Sequence, residues 1–244
     1  MLIVGIALLA AGFLLARYAG GKMPGWVAAV LAVAVLAYNA GLKRRKVGGP
    51  ITMGLCRGGS VLVGAAFATE TYAMPPVAIA ACVAWVYTAS LTFIAAGEAS
   101  GRRPGKGAHV PGLVLLAGCI AMLKCSMGNI QWPLMTCSFW DGTQGGGTIW
   151  EVDRAGVVAV VLLALAAAEA ELAAFRVRRG RLPTPAFIGR LIRVMITVQA
   201  AWVVWACGPL LGGGELIGAV PFVVAAYLAL RWAAALAARR FYGS

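Results

Sequence analysis

An all-α, polytopic transmembrane bundle is the fold class that this sequence predicts, and three observations predict it. Of the 244 residues, 61% are hydrophobic and only 12% charged, so a water-soluble domain would have too little polar side chain to cover its surface. The apolar residues gather in runs close to the ~20 residues that cross a bilayer as a helix. Those runs lack the period-2 alternation of barrel strands. A backbone in hydrocarbon must then satisfy its own N–H and C=O groups within each segment, which a helix does.

About eight such runs can be read, at 1–16, 26–42, 51–69, 76–97, 110–124, 156–175, 194–211 and 216–236, in a single domain over 1–244. The first, "MLIVGIALLAAGFLLARYAG", has neither the cationic start nor the small-residue cleavage site of a signal peptide, and reads as a membrane helix that begins abruptly. The second closes on Tyr38 and Asn39 and leads into Lys43, Arg44, Arg45 and Lys46. The third follows Pro50 and carries Gly54 and Gly58, the spacing that lets two helices approach closely. The fourth holds Trp85 and Tyr87 and reaches Glu98; the fifth opens beside His109 and Pro111. A lone imidazole with no acid or cysteine near it in sequence is no metal site, so His109 reads as an interfacial residue.

The sixth run is Ala, Leu and Val until Glu169 and Glu171, and Arg176 and Arg178 follow these seven residues later. Seven residues is two helical turns on one face, which predicts local ion pairing near the headgroups. Arg190 and Arg193 precede the seventh run three apart on one face, where they are expected to meet lipid phosphate or to snorkel. The eighth run ends before Arg239 and Arg240.

A formal net charge of +13 suggests nucleic acid until the cations are placed on this topology. Lys43–Lys46, then Arg102, Arg103 and Lys106, then Arg176–Arg190, then Arg239 and Arg240 all fall in turns on one side. The other side holds Arg17, Lys22, Glu70, Asp141, Glu151, Asp153 and Glu215. The positive-inside rule makes the basic side cytoplasmic. Both termini are therefore expected in the cytoplasm, in a bacterial-type inner (plasma) membrane, with membrane lipids as partners and no nucleic acid.

Of the six cysteines, Cys56, Cys82, Cys119 and Cys207 fall in or beside apolar runs, where a thiol acts as a small hydrophobe. No C-x-x-C is present, so zinc and dithiol redox chemistry find no support. Cys125 and Cys137 share one connection on the outer side, where a disulfide could persist, although two free thiols are the expected state. The breaks near Gly128, Pro133 and Gly212–Gly214 face outward, which counts against the midplane site of a transporter.

Arg57 poses the sharpest question. It lies seven residues past Pro50, roughly 10 Å into its helix, and a cation at membrane-centre depth costs about 2.5 to 3.5 kcal/mol. Either Glu98 pairs with it, or an anionic ligand is held between it and the basic turn.

Tyr38, Asn39, Leu42 and Lys43, followed by "GPITMGLCRGGSVLVGAA", resemble the UbiA superfamily of intramembrane prenyltransferases, and "GPITMGLCRG" resembles its EboC-like branch most closely. The resemblance covers most of the chain, with its specific part at 38–64. It implies a bundle of about nine or ten helices. Such a bundle binds a polyprenyl diphosphate through magnesium on two aspartate-rich motifs and transfers the prenyl group to an aromatic or other lipophilic acceptor. Carried over by position, Tyr38, Asn39 and Lys43 would contact the diphosphate and Arg57 would line the inner wall of its pocket. The first motif, N-D-x-x-D, is absent, because the aspartates are Asp141 and Asp153. Where the second is expected, Glu98 is the one carboxylate, among Thr88, Ser90 and Thr92, and is the implied metal ligand. If Lys43 closes the family's fourth helix, the chain begins at the third, and the missing aspartates are expected upstream of Met1 or lost by shortening. The reading is thus a UbiA-like prenyltransferase with an incomplete site or, alternatively, a non-catalytic lipid-binding or assembly subunit of the same fold.

Overall fold

The computed structural model describes residues 2–20, 22–68, 75–99, 101, 104–126, 154–210 and 225–233. Helices make up its regular structure: α1 (Leu2–Gly20), α2 (Lys22–Ala40), α3 (Gly48–Ala68), α4 (Pro75–Ala99), α5 (Val110–Ser126), α6 (Arg154–Arg178) and α7 (Thr184–Leu210). Short 3-10 turns at Leu42–Arg44 and Lys106–His109 lead into α3 and α5, and 225–233 is helical. There is no strand among the described residues.

The all-α class is therefore borne out, and so is the integral membrane character. Val77–Glu98, Lys106–Lys124, Gly156–Arg178 and Thr184–Val204 are long and apolar enough to cross a bilayer, with mean hydropathies of 2.0, 1.6, 2.2 and 1.5. Leu9–Tyr18 and Pro24–Ala40 are apolar but shorter.

One boundary departs clearly from expectation. The seventh run was expected to begin at 194, yet α7 starts at Thr184. Hydropathy is diluted there by Gly189, Arg190 and Arg193, but the start signal lies earlier. Pro185 fits the first helical turn because its missing N–H would have had no intrahelical partner, and the Phe187 N–H donates to the Pro183 carbonyl at 3.0 Å.

The chain divides into two compact units, Met1–Ala96 and Gly97–Ser244. In the first, α2 packs against both α1 and α3, and Gly59 of α3 lies against Leu31 of α2, where a Cβ would come 3.1 Å from Leu31 Cδ1. The seam between α3 and α4 is closer. A Cβ on Gly58 would sit 2.7 Å from the Ala81 carbonyl oxygen, and one on Gly54 would collide with the carbonyl of Trp85. Trp85 Nε1 crosses the same seam to donate to the Ile51 carbonyl at 3.2 Å. The G-x-x-x-G spacing thus serves helix contact, as its sequence suggested.

In the second unit α6 is central, packed on α5 and α7. Its buried stripe is Ala159, Leu163, Ala166, Ala170 and Ala173, and α7 presents Phe187, Leu191, Val194, Val198 and Ala201. Both follow a 4-3-4-3 spacing, one continuous helical face. The α6 stripe is mostly alanine and that of α7 mostly larger side chains, and the two helices pack on each other. In a bilayer, dispersion contacts of this kind drive helix association, since lipid is as apolar as leucine. Cys119 of α5 meets the same helix, its Sγ 3.7 Å from the Val160 carbonyl oxygen. Cys56, Cys82 and Cys119 are free thiols; of the pair that could form a disulfide, Cys125 lies in the last turn of α5 and Cys137 falls outside the described residues.

Candidate functional site

The first unit carries four of the five residues expected to bind diphosphate and metal. Tyr38 is half-buried and Asn39 exposed at the end of α2, where Asn39 Nδ2 donates to the Val35 carbonyl at 3.0 Å. The chain then turns through Leu42–Arg44, closed by Arg44 N–H to the Gly41 carbonyl at 3.1 Å and Arg45 N–H to the Leu42 carbonyl at 2.9 Å. Gly49 holds this turn onto α3, since a Cβ there would lie 3.1 Å from the Lys43 carbonyl oxygen and 3.2 Å from that of Leu42. Lys43, Arg44, Arg45 and Lys46 all project outward. They stand at the N-terminus of α3, where the helix dipole adds positive potential, while the Gly49 and Ile51 N–H groups donate to the Arg45 and Val47 carbonyls at 3.0 and 3.3 Å. The combination can attract and hold a polyanion.

Arg57 is exposed on α3, nine residues beyond its first residue, Gly48, or about 14 Å along the axis. The helix begins two residues before Pro50, so Arg57 lies further along it than the sequence suggested, on a helix that is not among the four described ones long and apolar enough to cross a bilayer. Glu98 is half-buried near the end of α4 and belongs to the second unit, whereas Tyr38, Asn39, Lys43 and Arg57 belong to the first.

Magnesium does not fit the described residues. No group of three His, Cys, Asp or Glu side chains that could hold a metal ion is found among them. Asn39 turns its amide nitrogen to its own helix. A hard divalent ion bound to a diphosphate needs carboxylate oxygens, and Glu98 supplies a single group.

The second unit contains two polar networks that sequence reasoning missed. Glu169 lies nine residues before the end of α6, about 14 Å inside the helix, and pairs with Arg231 of the 225–233 segment through Nη2. Arg231 Nη1 donates to Thr197 Oγ1 at 2.9 Å and to the Tyr227 hydroxyl at 3.2 Å. Thr197 Oγ1 and the Tyr227 hydroxyl are 3.0 Å apart. One guanidinium therefore ties three helices together with its charge compensated, as a cation at this depth requires.

The other network joins α5 to α6. Glu171 Oε2 lies 2.6 Å from His109 Nδ1, and Arg178 Nη1 lies 3.0 Å from His109 Nε2. Arginine can only donate, so Nε2 accepts and the proton resides on Nδ1, donated to Glu171. The imidazole bridges the Glu171 carboxylate and the Arg178 guanidinium. Gly112 makes room for it, because a Cβ there would strike the Glu171 carboxylate.

Two expectations are corrected here. Glu169 and Glu171 do not pair with Arg176 and Arg178 along their own helix; they reach across to Arg231 and His109. Seven residues separate charges by roughly 10 Å along a helix axis, whereas a packed neighbour brings a partner within contact. His109 likewise has an acid beside it in space that lies 62 positions away in sequence. Arg231 could have been found by the reasoning applied to Arg57, since it interrupts the run "VPFVVAAYLALRWAAALAA". No family model matches the chain, nor does any curated protein or solved structure.

Proposed function

We propose that the chain is a UbiA-like intramembrane protein that binds a polyprenyl diphosphate in the membrane, with prenyl transfer to a lipophilic or aromatic acceptor as the activity of the complete site. The observation that supports this reading most is the exposed cation turn Lys43–Lys46, clamped on the N-terminus of α3 beside Tyr38 and Asn39. Fixed positive charge in a low-dielectric site stabilises the negative charge that develops on a departing diphosphate. Arg57, further down the same helix, supplies a cation beneath the turn. In this reading the chain has about eight spans, with both termini and the basic turns on the cytoplasmic side of a bacterial-type inner membrane. Cysteine labelling at position 45 from the cytoplasmic side alone is the expected result, and labelling from outside would reverse the orientation.

That no group of three metal-ligating side chains is found among the described residues fits a second reading, a non-catalytic lipid-binding or assembly subunit of the same fold. The prenyltransferase reading requires the diphosphate to bind, whereas an assembly subunit does not. Arg57→Met is expected to weaken binding of a prenyl thiodiphosphate about 10-fold to 100-fold, the loss of one charge-assisted hydrogen bond. Arg239→Met serves as the control and is expected to change it less than about twofold. Equal affinity in wild type and Arg57→Met would remove Arg57 from the pocket. Measurable transfer by this chain would decide for the enzyme over the subunit.

A further inference from the structure

The turn between α6 and α7 holds a cavity of about 360 Å³ lined by Leu172, Phe175, Arg176, Arg181, Leu182 and Arg190. Three arginines thus line one small, half-open space together with three apolar residues. The positive charges gathered at this turn repel one another unless something compensates them, and the neighbouring acids are engaged elsewhere. Glu169 pairs with Arg231 and Glu171 with His109. The other two arginines of this turn are also occupied, Arg178 by His109 Nε2 and Arg179 by the face of Phe175, 4.0 Å from the ring centroid. Among the described residues, Arg176, Arg181 and Arg190 have no carboxylate partner.

We propose that this cavity is a binding site for the phosphate headgroup of an anionic membrane lipid, separate from the Lys43 turn. Guanidinium is suited to phosphate because its donors form a planar fork that matches two oxygens. The apolar half argues for a lipid over a free anion. Leu172 is 49% and Phe175 45% exposed, on a helix that spans the membrane, so an acyl chain can lie along them below the headgroup. The depth agrees as well. Arg176 is in the last turn of α6, and Arg190 lies six residues into α7, about 9 Å from its start. The cations therefore ring the level at which a helix leaves the hydrocarbon, and Leu172 marks the apolar floor.

The test is native mass spectrometry of the full chain in detergent, titrated separately with dioctanoyl phosphatidylglycerol, dioctanoyl phosphatidylcholine, inorganic phosphate and a prenyl thiodiphosphate. One phosphatidylglycerol per chain is expected at least about tenfold tighter than phosphatidylcholine or inorganic phosphate. Arg181→Gln, in an exposed turn, is expected to weaken phosphatidylglycerol about tenfold, and the triple variant R176Q/R181Q/R190Q to abolish the selectivity. Lys43→Met is expected to leave it unchanged, which separates this site from the diphosphate site. Equal binding of the two phospholipids, phosphate binding as tight as phosphatidylglycerol, or no effect of Arg181→Gln would each overturn the proposal. So would an Arg181→Gln variant that loses the prenyl thiodiphosphate instead of the phospholipid.

Discussion

Replacing Arg231 with methionine is expected to destabilise the second unit by about 3 kcal/mol, because it strands the Glu169 carboxylate inside a membrane helix and strips Thr197 and Tyr227 of their donor. Removing the carboxylate alone, as Glu169→Gln, is expected to cost less, since arginine can still donate to Thr197 and the Tyr227 hydroxyl and can snorkel on its long stem. The double variant E169Q/R231M is the informative one. With both charges gone no ion remains uncompensated, and stability is expected to return to within about 1 kcal/mol of wild type. Unfolding of the three variants and wild type in mixed micelles gives the coupling directly. Purely additive losses would mean that the two side chains do not depend on each other.

The seam between α3 and α4 carries the second large effect. Gly58→Ala drives a methyl group to 2.7 Å from a backbone oxygen, that of Ala81, and a carbonyl in a packed helix cannot swing aside as a flexible side chain would. The expected loss is about 1 to 3 kcal/mol, the usual range for overpacking, and Gly54→Ala is expected to behave alike because it meets the Trp85 carbonyl. The control lies on the same helix. Gly64 has nothing within 4 Å of an added Cβ, so Gly64→Ala is expected to be neutral or to stabilise by up to about 1 kcal/mol through helix propensity. Thermal unfolding of the three variants checks the contrast. Equal responses at 58 and 64 would refute the close approach.

The sequence made the helical class legible because the length and apolarity of a membrane run are properties of contiguous residues. Gly54 and Gly58 were readable for the same reason: their spacing on one helix already states that something approaches closely. The start of α7 was not, because Arg190 and Arg193 lowered the hydropathy of a segment whose helix signal was the Thr184–Pro185 start. The two polar networks were further out of reach. Glu169 with Arg231 and Glu171 with His109 are each 62 positions apart, and a pair at that separation is set by helix packing, not by local pattern. The residues at the candidate diphosphate site are a middle case. Tyr38, Asn39 and Lys43 sit within one helix end and its turn, so their grouping follows from adjacency in the chain. Glu98 was joined to them by resemblance alone.

The central claim is that a prenyl diphosphate binds through cations and apolar surface before any metal is involved. Its most direct test is the binding isotherm of a prenyl thiodiphosphate to the full chain in magnesium-free buffer, with the corresponding prenyl alcohol as comparison. Saturable one-to-one binding is predicted, at least about tenfold tighter than the alcohol and weakened to a similar degree by Lys43→Met. Affinity equal to that of the alcohol, or an isotherm indifferent to Lys43→Met, would contradict it.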